Sequence, residues 1–211
     1  MKKLIKRIVL YSTFKNRKTK RKQEKELLKW ERDGKPAPSP HIIKQRTLLT
    51  YAKEYGLKNL IETGTLHGDM VEAMKNDFDL IYSIELSNGL YNEAKKRFKG
   101  EEHIKLIHGD SGIELKNVIN KINHPALFWL DGHYSGGVTA KGNNDTPIYE
   151  ELNHILNTKE KRHVIIIDDA HLFGVDPAYP SIEELNKFIK IKRPEVNIII
   201  QDDSIRITPP K

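Results

Sequence analysis

Five short apolar runs through the middle of this 211-residue chain restrict what it can fold into. They are Asn59–Thr63, Leu80–Leu86, Ile104–His108, Ala126–Asp131 and His163–Asp168, each dominated by Ile, Leu, Val, Phe or Tyr. Runs of this kind without polar alternation are expected of strands buried on both faces, as in a parallel sheet covered by helices. The segments between them supply those helices. Met70, Val71, Met74 and Phe78 share one helical face, as do Leu90, Tyr91, Ala94 and Phe98. Ile148, Leu152, Ile155 and Leu156 repeat the pattern behind Thr146 as N-cap and Pro147 at the first helical position. Ser181 with Glu184 makes a capping box ahead of Leu185, Phe188 and Ile189. The end differs. Val196–Gln201, a polar turn Asp202-Asp203-Ser204 and Ile205–Thr208 read as a hairpin, so the last strand should run antiparallel. The expected class is α/β, a doubly wound, Rossmann-like, mostly parallel seven-stranded sheet.

Three stretches follow along the chain. Residues 1–22 form a basic arm, 23–56 two helices, and 57–211 the sheet domain. The first helix, Gln23 to Arg32, is stopped by Asp33-Gly34 and by Pro36, Pro38 and Pro40; the second, His41 to Tyr55, ends at Gly56. The net charge of +7 is unevenly placed, because residues 1–30 hold twelve Lys or Arg against Glu24 and Glu26. The high isoelectric point therefore describes the arm, while the remainder is slightly acidic. Leu4, Ile5, Ile8 and Val9 would share one face of a short basic helix, which suits an anionic membrane surface; a solvated arm fits the same residues equally well. With no cysteine, disulfides, thiolate zinc sites and a Cys nucleophile are all excluded. Apolar runs are too short to span a bilayer, and Lys2, Lys3, Lys6 and Arg7 interrupt any signal-peptide core, so the expectation is a cytoplasmic protein, at most peripheral to the membrane.

Ligands of open parallel sheets collect at the carboxyl ends of the strands, and there this chain is acidic. Glu62 begins a Gly turn, Ile61-Glu62-Thr63-Gly64-Thr65-Leu66-His67-Gly68, after the first run. Glu85 ends the second, where a ribose diol would need an acceptor, and Asp110 follows the third. Asp131 ends the fourth in ALFWLDGHYSGG, and Asp168-Asp169 ends the fifth in HVIIIDDAH. The turn is spaced Glu-x-Gly-x-x-x-Gly, and neither a dinucleotide fingerprint nor a P-loop occurs.

With these motifs the chain, over about residues 57–208, resembles class I S-adenosylmethionine (SAM)-dependent methyltransferases. The resemblance implies cofactor contacts from Glu62, Gly64, Thr65 and Gly68 in the turn, from Glu85 and Leu86 at the ribose, from Asp110 and Ser111 at the adenine, and from Asp131. The family usually has a further Gly near Leu66, which this chain lacks. Within that class, IETGT, LDGH and IIIDD look like the metal-dependent sugar O-methyltransferases of macrolide and aminocoumarin biosynthesis. That similarity implies a divalent cation, Mg²⁺ by its hard oxygen ligands, on Asp131, Asp168 and Asp169. It further implies a hydroxyl acceptor on a small molecule, sugar or glycan. Those enzymes place a second Asp two residues after the first as general base, where this chain has His133. His133 and His171, just past the acid pair, are the two candidates for that proton, with Asp131 beside them. A Gly-rich stretch, Tyr134 to Asn144, could fold over the acceptor. A nucleic-acid methyltransferase guided by the arm is disfavoured, since LDGHY replaces the [DN]PPY pattern of amino-methylating enzymes. A non-catalytic scaffold remains an alternative, and homo-oligomer formation is left open.

Overall fold

The computed structural model describes residues 21–132 and 146–210. His133 and the Gly-rich stretch Tyr134 to Asn144 lie outside the described residues. A helix over 21–32 (α1) leads to α2 (His41–Tyr55), after which strands and helices alternate. They are β1 (Asn59–Thr63), α3 (Asp69–Met74), β2 (Leu80–Glu85), α4 (Asn88–Arg97), β3 (Ile104–His108), α5 (Ser111–Ile119), β4 (Ala126–Leu130), α6 (Ile148–Leu156), β5 (Val164–Ile167), α7 (Ile182–Lys192), β6 (Asn197–Gln201) and β7 (Ser204–Thr208).

The sheet has seven strands in the order β3-β2-β1-β4-β5-β7-β6. β1 to β5 pair in parallel, and β7 runs antiparallel to both of its neighbours. Every residue of β4 and β5 is buried, which is why these strands carry no polar alternation. Their side chains still alternate between two cores. Ala126, Phe128 and Leu130 face α5, α6 and α7, while Leu127 and Trp129 face α2, α3 and α4. α2 is part of the second core through Leu48 and Ala52. The hairpin turn is Asp202-Asp203, both at positive φ, the signature of a two-residue type I′ connection. Ser204, read in the sequence as part of that turn, already belongs to β7.

Several element ends fall one residue inside the expected limits. Leu86, Asp131, His163 and Asp168 lie just beyond their strands. Asp131 and Asp168 each still donate a backbone N–H to the neighbouring strand, to Thr63 O (3.1 Å) and Leu130 O (3.0 Å), before the chain turns away. Pro147 is the N-cap of α6 and not its first helical residue, with no side-chain cap from Thr146.

Candidate active site

Strand order places the ends of β1, β2, β4 and β5 side by side, so the acids read at separate places in the sequence form one rim. On the β1–β2 side they are tied into the protein. Glu62 is buried and accepts from Ser83 Oγ, which also meets Thr65 Oγ1 at 2.6 Å. Burial pushes its carboxyl up to about 8; Ser83 opposes this and Glu85 adds to it. Glu62 thus supports the turn from beneath. Glu85 accepts backbone N–H groups from Leu66 and Ser87, each at 2.8 Å, and so links the turns after β1 and β2. A carboxylate with one bond on each oxygen retains lone pairs for a further donor such as a ribose hydroxyl.

The turn itself is tightly built. Gly64 has φ +85°, and a Cβ there would stand 2.5 Å from the carbonyl oxygen of Asp131. Gly68 has φ +75°, and its Cβ would meet the Phe98 ring at 2.6 Å. Between them Leu66 adopts φ +50°, the left-handed conformation that a Gly would enter without strain. Leu86 is half-buried, its carbonyl accepting from His108 Nε2 at 3.1 Å. Asp110 caps α5 through Gly112 N–H (2.9 Å), and Ser111 opens that helix. Beside Ser111 and Thr63 lies Glu151, fully buried at the start of α6 and not anticipated from the sequence. Burial pushes its carboxyl up to about 7 against the pull of those two hydroxyls, and Oε1 makes no well-formed hydrogen bond among the described residues.

On the β4–β5 side, Asp131, Asp168 and Asp169 converge, with one carboxylate oxygen from each lying within 4.8 Å of the others. Asp169 makes this possible. Its φ of +51° turns the chain sharply after β5. Burial raises the Asp131 carboxyl well above the usual range, and Asp168 raises it further. Asp168 is almost fully buried, its Oδ1 without a hydrogen-bond partner among the described residues. Its Oδ2 is not free. Lys44 of α2 donates to it, and the same Nζ lies 3.7 Å from Asp169 Oδ1. Burial alone would lower the pKa of this ammonium, but Asp168, Asp131 and Asp169 outweigh it and raise the pKa.

An unpartnered carboxylate oxygen buried among three acids fits a hard divalent cation, which takes oxygen ligands and keeps positions for water or substrate. His171 stands next to this group. Its Nδ1 meets Asp203 Oδ2 at 2.9 Å, and its backbone N–H donates to Asp203 Oδ1. A carboxylate only accepts, so Nδ1 is the donor in this bond. Asp169, His171 and Asp203 also form a close set of potential ligands. The phenol of Tyr179 lies near the acids and is pushed upward by burial and by Asp169 and Asp131.

Lys44, Glu151, Asp203 and Tyr179 were not found by reading the sequence. Lys44 alone had a usable signal: it stands four and eight residues before Leu48 and Ala52, on the buried face of α2.

This strand order with a reversed seventh strand is that of the class I methyltransferase fold. Among solved structures it resembles an O-methyltransferase from Bacillus cereus in complex with S-adenosylhomocysteine (SAH), at 14% identity, 88% of this chain, 89% of that one and TM-score 0.58. TomG, the Streptomyces achromogenes O-methyltransferase of tomaymycin synthesis solved with SAM, gives 14% identity, 89% of each chain and TM-score 0.57. The N-methyltransferase NodS of Bradyrhizobium japonicum gives 13% identity over 80% of this chain and 95% of that one, TM-score 0.53. No protein-family model and no curated protein matches the sequence. No described helix is long and apolar enough to cross a membrane.

Proposed function

We propose that the chain is a SAM-dependent O-methyltransferase, assisted by a divalent cation and acting on a hydroxyl of a sugar, glycan or secondary-metabolite intermediate. The fold alone does not select oxygen, because NodS shares it as an N-methyltransferase. The observation that carries the reading is the convergence of Asp131, Asp168 and Asp169 beside the turn after β1.

Transfer to a hydroxyl forms one O–C bond, breaks one C–S bond, leaves a neutral thioether and releases one proton. A divalent cation on the three Asp carboxylates would supply Lewis acidity, making an acceptor hydroxyl easier to deprotonate. The chain's own residues do the rest. Glu85, Leu86, Asp110 and Ser111 would hold the nucleoside, and the turn from Glu62 to Gly68 would position the methionine portion. The released proton goes to Nε2 of His171, with Asp203 holding the ring in the tautomer that can accept it. His133 competes for this role. The arm over residues 1–22 would then bring the enzyme to an anionic surface.

Methyl transfer from labelled SAM to a panel of nucleotide sugars and glycans tests this, with and without EDTA. Expected are turnover with Mg²⁺ and its loss in chelator, with SAH still binding by calorimetry. Full turnover in chelator would remove the cation from the proposal, and no SAH binding by the folded protein would remove the methyltransferase.

A further inference from the structure

We infer that Lys44 is the resident counter-ion of the three-acid cluster and sets how tightly a divalent cation binds there; this rests on the metal-assisted reading above. The residue is placed for the part. It lies on the α2 face that buries Leu48 and Ala52, and its side chain is only 17% exposed. A lysine there could run its stem to solvent. Instead its ammonium turns inward, donates to Asp168 Oδ2 and approaches Asp169 Oδ1 to 3.7 Å.

One monovalent cation does not neutralise three carboxylates. With all three carboxylates ionised, as cation binding requires, and Lys44 charged, the group retains a net charge near minus two, and Asp168 Oδ1 is buried without a partner among the described residues. The remaining deficit matches one divalent ion. That ion must nevertheless bind against a positive charge already within 4 Å of two of its ligands. An ammonium and a metal ion drawn to the same carboxylates repel each other, twice as strongly for a divalent ion as for a monovalent one, unless the flexible lysine stem withdraws. Lys44 therefore stabilises the cluster without metal and weakens its hold on metal. A lysine that merely positioned Asp168 as a ligand would have the opposite effect on removal, which makes the two roles separable.

The test is Mn²⁺ binding to the full chain, by electron paramagnetic resonance and calorimetry, without SAM or acceptor. Lys44→Met keeps the stem and removes the charge, Lys44→Gln keeps a donor for Asp168, and Lys44→Arg keeps the charge. Expected are Mn²⁺ dissociation constants lower by about tenfold or more for Met and Gln, and near wild type for Arg. The metal-free melting temperature of the Met variant should fall and recover with Mn²⁺. General damage to the fold would weaken Mn²⁺ binding, never tighten it. Should Met and Gln bind Mn²⁺ as well as wild type or worse, Lys44 is not the counter-ion and the metal site stands without it. If folded wild-type and Gln proteins both fail to bind Mn²⁺, the metal reading falls and takes this inference with it.

Discussion

The two halves of the acidic rim treat their carboxylates in opposite ways. At β1 and β2 the protein supplies the partners itself: Ser83 for Glu62, and the N–H groups of Leu66 and Ser87 for Glu85. At β4 and β5 three acids crowd together beside Lys44, and among the described residues Asp168 Oδ1 goes without a partner. Buried polar atoms are nearly always hydrogen-bonded in folded proteins, so an orphan oxygen among three carboxylates fits the cation proposed above. The carboxylates of the first half find partners within the chain, while those of the second suit the cation proposed above.

The largest effect should come from Asp168→Ala, which removes the buried carboxylate proposed as a metal ligand and also deprives Lys44 of its nearest partner. Metal binding and methyl transfer should fall by at least about a hundredfold. SAH affinity, governed by the other half, should stay within about threefold. Calorimetry with SAH and with Mn²⁺ on one preparation measures both, and joint loss would show that the halves form one unit.

Next comes Glu62→Gln, read as stability against pH. In the folded protein Glu62 stays neutral up to about pH 8, whereas the unfolded chain ionises above its ordinary value of 4.5. Its contribution is therefore complete below about pH 4.5 and is lost as pH rises through about 8. The wild type should lose on the order of 4 kcal/mol of stability across that window through this group, and the Gln variant should not. Urea titrations of both proteins at several pH values decide it; parallel curves would mean that Glu62 is ionised when folded.

A smaller effect is expected where the halves touch. Gly64→Ala would place a methyl 2.5 Å from Asp131 O at φ +85°, so about 2–4 kcal/mol of stability should go. Denaturant midpoints measure this. A neutral substitution would mean that the turn and the end of β4 can move apart.

Much of this was legible in the sequence, for identifiable reasons. β4 and β5 announce themselves because strands buried on both faces must be apolar throughout, whereas the edge strand β3 exposes Lys105 and His108; Asp131 and Asp168 stand out because a carboxylate ends such a run. The hairpin was visible in Asp202-Asp203, residues that tolerate positive φ. Lys44 was missed despite its place in line with Leu48 and Ala52, since a lysine on a helix ordinarily reads as solvated and its partner lies 124 positions away. Asp203 read as turn chemistry, yet its side chain holds His171 across 32 residues. Nothing in the sequence separates Glu151 from an ordinary first-turn helix acid. Leu66 reads as a missing Gly, while the backbone adopts the left-handed geometry regardless.

The bend at Asp169 has a consequence for the design of variants. Neighbouring side chains on an extended strand point to opposite faces, so two acids in a row cannot ordinarily serve one ion. Here the second acid leaves the strand in a conformation that Asp and Asn enter far more readily than other side-chain-bearing residues. Under the proposed metal role, position 169 has to supply both a carboxylate and a permissive backbone. Asparagine separates them by removing the charge and sparing the bend, whereas alanine confounds the two.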